Sequence, residues 1–342
     1  MATRGNAEKL AKRPTHKPVV AFTGVNGFLG RNLIGVLEED DRYDRLVLLD
    51  LVAPATAGAK SRFYRIDLTQ PGVDARLAEI LSAEGVDTLV HLALVSSPTY
   101  ASAWRHEIES VGTMHVIHAC EAAKTPKLVS WSQTLLYGAS PSNPNFLAED
   151  RALGASDRSA FLRDKTEIDR NLQAFGVRQN RTLVTLLRTC PMLGPTVKNF
   201  VTRYFSRRAV PTVLGFDPLV QFVHEVDAVR AFKASIDREY PGVFNIVGDG
   251  VLPLMTAIKI AGRVALPLPF FALTTVAQLS WAAQFGEAPA PFVDYLRYLC
   301  VADGAKALDE MGFRPAYSTR EALIEFAGSQ MLREARLLRE AE

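Results

Sequence analysis

Three glycines near the start of the chain have the spacing of a phosphate-binding loop. In "TGVNGFLG", Gly24, Gly27 and Gly30 follow an apolar run and precede the helical pattern "FLGRNLIGVLEED". Glycine permits a tight turn and a close approach of the backbone to a pyrophosphate, which then lies at the positive end of the helix. The spacing alone is weak evidence, because turns use glycine in any case, but the strand and helix around it favour a dinucleotide site. The neighbouring residues expected at that site are Asn26, Phe28 and Leu29.

A carboxylate, Asp50, ends the next predicted strand, "RLVLLD". At this position it would accept hydrogen bonds from the hydroxyls of an adenosine ribose and repel a 2′-phosphate, so NAD is favoured over NADP. The alternative is an ordinary turn residue at a strand end. Asp67 and Leu68 end the third strand and are expected to contact adenine, while Ala93 lets the fourth strand pass close to the cofactor.

Short apolar runs alternate with longer amphipathic segments from Pro18 onward, which is typical of βαβ units on a parallel sheet. We predict a Rossmann-type, doubly wound α/β domain over 18–195 and a smaller, mostly helical substrate lobe over 196–342, some of whose segments rejoin the sheet. Residues 1–17 form a basic tail that we expect to be disordered. The predicted strands after the first are 45–50, 62–67, 88–93, 127–132 and 182–188.

Charge and cysteine content exclude several classes of protein. The net charge is +2, and the 17-residue tail contributes +4 of it, which leaves −2 for the remaining chain and argues against nucleic-acid binding. Three scattered cysteines have no CxxC spacing, so neither a disulfide framework nor a thiolate metal site is predicted. We expect a cytoplasmic protein with a small-molecule substrate. His115 and His118 lie three apart on a predicted helix, but without further ligands nearby no metal is expected.

One uncharged stretch, residues 264–286, is long enough to raise the question of membrane contact. Its two prolines and its Gln278, Ser280 and Gln284 argue against a span in contact with lipid. We therefore expect a buried helix of the substrate lobe, with contact to one membrane face as the less favoured alternative.

With these motifs the sequence resembles extended short-chain dehydrogenases/reductases of the NAD-dependent epimerase/dehydratase group, from about Pro18 to about Phe326. The resemblance implies hydride chemistry with NAD on a nucleotide sugar or on an apolar hydroxy or keto substrate. It also implies a homodimer formed by the helical segments 107–124 and 159–175, although burial of their apolar stripes within one subunit is the alternative. The matching segments are "TGVNGFLG", "IDL", "VDTLVHLA", "LLYG", "LLRTCPMLGP", "FVHEVDAV" and "FNIVGDG".

The residues that the resemblance makes catalytic are mostly replaced. The family's tyrosine, four positions before its lysine, falls on Phe161, and its serine or threonine falls on Gln133, so that Lys165 alone is retained. Glu109 stands where the family has an asparagine. The resemblance gives Lys165 a catalytic role and a contact to the nicotinamide ribose, against the alternative of a solvated helix lysine. Tyr137, Thr134, Ser97 and His91 are the candidates for a displaced acid.

The predicted substrate pocket is formed by Ser96, Ser97, Gln133, Thr134 and Pro191. Arg188 and Asp227 resemble residues of the segments that shape this pocket, and Gln221 lies near the position of an arginine that often binds a diphosphate. Two functions stay open. The first is an atypical NAD-dependent oxidoreductase or isomerase, and the second is a catalytically silent NAD-binding sensor or interaction protein.

Overall fold

The computed structural model describes residues 16–155, 157–178 and 181–340. The predicted basic tail, apart from its last two residues, lies outside the described residues. Within the described part, thirteen strands and eleven α-helices alternate along the chain. The strands are β1 (Val19–Thr23), β2 (Arg45–Asp50), β3 (Ser61–Arg65), β4 (Thr88–His91), β5 (Lys127–Gln133), β6 (Leu183–Thr189), β7 (Met192–Leu193), β8 (Ala209–Val213), β9 (Leu219–Val220), β10 (Val223–His224), β11 (Gly242–Ile246), β12 (Leu252–Pro253) and β13 (Val264–Leu268).

A seven-stranded sheet with the order β11-β6-β5-β4-β1-β2-β3 forms the centre of the molecule. All of its neighbouring strands are parallel, which confirms the predicted α/β, doubly wound fold class. The late strand β11 joins this sheet beside β6. The predicted strands agree with the observed ones to within about two residues, as expected for boundaries read from a sequence.

Helices cover both faces of the sheet. They are α1 (Phe28–Glu38), α2 (Val73–Ala83), α3 (Ser102–His106), α4 (Gly112–Ala123), α5 (Ala160–Arg178), α6 (Phe200–Ser206), α7 (Glu225–Asp237), α8 (Leu254–Ile260), α9 (Phe270–Ala282), α10 (Ala305–Met311) and α11 (Thr319–Glu340). Strand β1 shows why both faces need cover, because all five of its residues are buried. Val20 and Phe22 pack in the cluster that contains α1 and α7, and Ala21 packs in the cluster that contains α2, α4 and α5.

The apolar stripes of α4 and α5 are buried within the subunit. Val116 of α4 and Ile168 and Leu172 of α5 belong to one core cluster with the sheet. Burial against the sheet therefore accounts for these stripes, and the homodimer stays a prediction.

The expectation of a buried helix over 264–286 is wrong. Residues 264–268 form β13, which pairs with β8, and only α9 is helical. Leu273 is the one residue of α9 that is buried, whereas Phe271 is 75% exposed and Leu279 is 64% exposed. A helix that is apolar on all sides usually indicates burial, but it has no apolar stripe that shows which face the rest of the chain covers. Among the described residues, no helix has both the length and the apolar content needed to cross a membrane.

His91 at the end of β4 is buried in the core, which is the position that its apolar neighbours in the sequence indicate. Its ring nitrogens bond to the hydroxyls of Thr23 and Thr113 at 2.7 and 3.0 Å. Burial, with a smaller contribution from the charge of Lys165, lowers the pKa of His91 to about 3. Protonation of His91 in acid therefore destabilises the folded state.

The folded-state pKa lies below the unfolded value, so the unfolded chain binds the proton first and stability falls as the pH falls from about 6.5 towards 3. Between pH 6.5 and 4.5 we expect the unfolding free energy of the natural chain to fall by about 2–3 kcal/mol more than that of His91→Gln. Urea titrations of both proteins across this range measure the difference. Equal pH slopes would show that His91 is not held neutral.

Candidate functional site

The ends of six parallel strands bring the predicted site residues to one edge of the sheet. Thr23, the last residue of β1, pairs with Leu49 of β2 and with His91 of β4. Gly24 and Leu92, which follow their strands, and Asp50, which ends β2, therefore lie at the same edge. Gln133 ends β5 opposite Thr189 of β6, so the segments that follow them also start at this edge. In open parallel sheets this edge is where ligands bind.

The loop between β1 and α1 is a cradle that only glycine permits. Gly24 has a φ of +70°, and a Cβ atom there would lie 2.4 Å from the backbone of Leu92 and Ala93. A Cβ atom on Gly30 would lie 2.6 Å from the carbonyl oxygen of Gly24. The first turn of α1 contains no acidic side chain, so nothing neutralises its positive end. The chain geometry therefore fits a pyrophosphate at this loop.

The other predicted contacts of the cofactor lie around this cradle. Asn26 is exposed and donates its amide to the carbonyl of Val52 at 2.7 Å, which ties the loop to the segment after Asp50. Asp50 is half-buried, and one of its oxygens accepts the amide of Leu51 at 2.7 Å. Phe28 and Ala93 are half-buried, and Leu29 and Leu68 are buried.

The side chain of Asp67 forms hydrogen bonds within the turn that follows β3. Its carboxylate accepts the amide and the hydroxyl of Thr69 at 3.0 and 2.7 Å and a longer bond from Gln70. These bonds, those of Thr69 first, lower the pKa of Asp67. An adenine contact through the side chain has to compete with Thr69, which leaves the backbone of Asp67 and Leu68 as the more available part.

Four buried charges meet beside the end of β5. Lys165 on α5 is 3% exposed and lies 2.7 Å from Glu109, so the alternative of a solvated helix lysine is wrong. Arg105 bonds to Glu109 at 3.3 Å and to Asp164 at 3.0 Å. Burial lowers the pKa of Lys165, and Glu109 acts in the opposite direction. Two cations and two anions thus form a charge-balanced buried cluster.

Glu109 lies in a π-helical turn, Glu107–Val111, between α3 and α4. Such turns are rare and occur frequently at functional sites. Besides Lys165 and Arg105, the carboxylate of Glu109 accepts the amide of Val95, which follows β4. The widened turn therefore places the carboxylate where the loop after β4 meets α5.

Phe161 occupies the position of the missing tyrosine and is buried. It is 3% exposed, with its ring centroid 6.1 Å from that of Phe292. The guanidinium of Arg105 lies 5.6 Å from the ring centroid and the ammonium of Lys165 lies 5.4 Å from it. The ring therefore contacts the charge cluster as a cation–π partner and supplies no proton.

Gln133, at the position of the family serine or threonine, has an unused hydrogen-bond acceptor. The residue is 6% exposed, and its Oε1 atom has no hydrogen-bond partner among the described residues. It lines a small cavity of about 20 Å³ with Ser96 and Pro191. Buried polar atoms without a partner are uncommon, and a ligand is one explanation for such an atom. Ser97 is half-buried next to Ser96, and Thr134 lines a larger adjoining cavity.

Two of the candidates for a displaced acid have structural roles. Tyr137 donates to Asn245 at 2.8 Å and accepts from Arg188 at 2.9 Å, and burial raises its pKa. His91 bonds to Thr23 and Thr113 inside the core. Thr134 and Ser97 stay candidates from the sequence.

The profile of the NAD dependent epimerase/dehydratase family matches residues 20–247 of the sequence. The chain belongs to this family. The assignment confirms both the resemblance seen in the sequence and NAD as the predicted cofactor.

Relatives and solved structures agree with this assignment to the epimerase/dehydratase family. An uncharacterized protein of Mycobacterium tuberculosis is 31% identical over 323 residues, which cover 92% of this chain and 85% of that protein. A UDP-glucose 4-epimerase of Thermotoga maritima superposes with a TM-score of 0.69 at 18% identity and covers 93% and 99% of the two chains. A dTDP-glucose 4,6-dehydratase of Bacillus anthracis has a TM-score of 0.67 at 16% identity and covers 93% and 98%. At these identities the two structures show the shared fold.

Two residues that the sequence placed near the substrate pocket of this family member serve the fold. Arg188 is 1% exposed and binds Asp169 through two nitrogens, at 2.7 and 2.9 Å. Asp227 accepts the amides of Ala316 and Tyr317. Both side chains are therefore committed to partners inside the protein.

The sequence did not reveal the charge cluster of this epimerase/dehydratase family member. Nothing in the sequence pointed to Arg105, and Glu109 was notable only as a departure from the family. The signal available was the i,i+4 spacing of Arg105 and Glu109 on one helix.

His118 is exposed, and His115 lies 3.8 Å from Asp74. Over the described ranges, no group of three or more side chains of His, Cys, Asp or Glu is arranged to hold a metal ion.

Proposed function

We propose that this chain is an NAD-dependent oxidoreductase that moves hydride to or from a hydroxyl or keto carbon without the family's tyrosine. The observation that carries the proposal is the buried Lys165–Glu109 pair, 2.7 Å apart, beside the ring of Phe161, which stands where the family has its tyrosine. A carboxylate bonded to the retained lysine offers a second place for the proton that an alcohol must lose. The proposal keeps the reaction class of the family and changes the route of the proton.

The NAD site in this proposal consists of the β1–α1 loop and the strand ends beside it. Gly24, Gly27 and Gly30 let the backbone approach the pyrophosphate, and the first amides of α1 donate to it. When bound, NAD supplies the acceptor for the hydride that leaves the substrate carbon. The other residues proposed for this site are Asn26, Phe28, Leu29, Asp50, Asp67, Leu68, Ala93 and Lys165.

The proton route uses groups already in contact. As the substrate is oxidised, one ammonium proton of Lys165 passes to the Oε1 atom of Glu109, and the Nζ atom, which then has a free lone pair, takes the hydroxyl proton of the substrate. The lysine ends as an ammonium and the glutamate as a carboxylic acid, so charge and protons balance. Burial lowers the pKa of Lys165, which favours this exchange because it makes the ammonium a better donor. Reduction of a ketone runs the same steps in reverse.

The remaining pocket residues orient the substrate. Gln133 cannot titrate, but its unpartnered Oε1 accepts a hydrogen bond from a hydroxyl group. Ser96, Ser97, Thr134 and Pro191 complete the inner end of the proposed pocket. Two cavities adjoin this region, one of about 1000 Å³ that Arg105 and Phe161 line, and an apolar one of about 450 Å³ that Thr134 and Pro191 line. The proposed substrate is either a nucleotide sugar or an apolar hydroxy or keto compound.

A catalytically silent NAD-binding protein is the second candidate. The observation that favours it is the packing of Phe161, whose ring contacts Arg105, Lys165 and Phe292 and leaves no phenol near the lysine. In such a protein the cluster would serve stability, and NAD would act as a sensed ligand.

A substrate panel separates the two candidates. We expect the natural chain with NAD⁺ to form NADH from at least one member of a panel of nucleotide sugars and apolar secondary alcohols, and Lys165→Ala to abolish this turnover. The silent protein gives no NADH from any of them. If turnover appears only after Phe161→Tyr is combined with Gln133→Ser, the proton route through Glu109 is wrong.

We also propose that the chain forms a homodimer and acts in the cytoplasm. The three cysteines of the sequence are unpaired, which suits a reducing compartment. Light scattering on the purified full chain measures the mass of the particle and so tests the dimer.

A further inference from the structure

The cavity of about 450 Å³ lies in the lobe between β8, β13, α6 and α9. We propose that it binds an uncharged, lipid-like alcohol or ketone, and that this compound is the substrate; the inference rests on the proposed function. The volume is within the range of pockets that enclose small organic ligands, about 300–1000 Å³.

The inner end of this cavity adjoins the catalytic region. Thr134, Leu135 and Pro191 line it there, directly after β5 and β6. Pro191 and Leu135 also line the small cavity that contains Gln133. A ligand that fills the apolar cavity therefore has its end next to the unpartnered Oε1 of Gln133. Before its proton moves to Lys165, the hydroxyl of an alcohol at that end can satisfy this acceptor, and the rest of the ligand stays in apolar surroundings.

The walls of the cavity lack a site for a diphosphate. Among the described residues, Arg207 and Glu287 are the charged side chains of its lining, and they lie 3.1 Å apart as an ion pair. The N-terminus of α6 faces the same region, but the side chain of Asn199 already accepts its first amides, from Val201 and Thr202. Burying two further negative charges without a free partner would be very costly.

Three of the larger polar side chains of the walls are hydrogen-bonded within the protein itself. Tyr204 donates to the carbonyl of Pro211, and Tyr295 donates to that of Leu135. Gln221 exchanges two hydrogen bonds with the backbone of Ala302. These groups therefore present mainly their apolar parts to the cavity, which matches a ligand with few polar atoms.

The outer wall gives an apolar ligand a way in. Leu266 and Val276 line the cavity and are also 46% and 57% exposed at the surface. Phe271 and Leu279 extend the apolar surface along α9. The entrance is thus formed by the helix whose exposure the sequence did not predict.

The test uses the full chain and the neutral fluorescent probe N-phenyl-1-naphthylamine. We expect saturable binding of the probe and its displacement by long-chain secondary alcohols and ketones, but not by UDP-glucose. Ala277 of α9 lines the cavity, and Ala277→Trp should weaken binding at least about tenfold because the indole fills the space. Ala283→Trp, at an exposed position just after α9, is the matched control and should bind the probe normally.

Each result decides the inference separately from the proposed function, because NAD binding is titrated on the same samples. Displacement of the probe by UDP-glucose, no saturable binding to the natural chain, or equal affinities of Ala277→Trp and Ala283→Trp would overturn the cavity inference. Probe binding that is lost in Phe271→Ala but kept in Ala277→Trp would place the probe on the surface and overturn it as well. Probe binding as expected, together with a failure to bind NAD, would overturn the proposed function and leave the cavity a binding site.

Discussion

Glu109→Gln is expected to slow NADH formation by about 100- to 10,000-fold, the usual effect of removing one positioned acid or base. The amide keeps the shape of the carboxylate but cannot take the proton that Lys165 passes on. The affinity for NAD should change by no more than about threefold, since the β1–α1 loop is untouched. Initial rates with the best substrate of the panel, together with NAD titrations, measure both quantities.

The matched control is Glu107→Gln, which lies in the same π-helical turn but is exposed. Removing the partner of a buried lysine also costs stability, about 3–5 kcal/mol, so rates are compared per folded molecule. Adding Phe161→Tyr to Glu109→Gln should restore part of the rate, because a phenol beside Lys165 again offers a proton acceptor. A Glu109→Gln protein that turns over as fast as the Glu107→Gln protein would disprove the proton route.

Gly30→Ala is expected to weaken NAD binding at least about 100-fold. The new Cβ atom would lie 2.6 Å from the carbonyl oxygen of Gly24 and 2.8 Å from Val25, so the loop has to shift. A shifted loop loses several hydrogen bonds to the charged pyrophosphate, each contributing about 1.5–3 kcal/mol. Titration calorimetry with NAD⁺ measures the loss.

Gly35→Ala on the same helix is the control, because nothing lies within 4 Å of its Cβ position. We expect it to bind NAD normally and to be slightly more stable, by about 0.5–1 kcal/mol. Normal NAD binding by Gly30→Ala, in protein with an unchanged circular dichroism spectrum, would show that the cofactor does not lie on this loop.

The central sheet could be predicted from the sequence because its signals are local. Buried parallel strands give continuous apolar runs, and the amphipathic segments between them give helices. Once the strands are in order, their parallel register brings Gly24, Asp50 and the residues after His91 to one edge without further information.

The charge cluster could not be predicted, since it joins residues far apart in the chain. Glu109 and Lys165 are 56 positions apart, and nothing in either segment indicates that they form a pair. Lys165 next to Asp164 in a polar stretch was also compatible with a solvated position, which was the less favoured interpretation. Only tertiary packing shows that both residues are buried.

The exposure of α9 was missed for a related reason. Its sequence is apolar on every side, a pattern that usually indicates burial. In the structure the first part of the stretch forms the strand β13, and the rest of the chain covers only the face of α9 around Leu273. Apolar content predicts that a segment is more stable when buried, but it does not predict whether the rest of the chain covers that segment.

Titration calorimetry of the natural full chain with NAD⁺ and NADH tests the central claim most directly. We predict saturable one-site binding of the dinucleotide, weakened about 10- to 100-fold in Asp50→Ala, which removes a charged acceptor from the adenosine ribose. If neither form of the dinucleotide binds to well-folded protein, or if Asp50→Ala binds NAD as tightly as the natural chain, the site proposed at the edge of the sheet is contradicted.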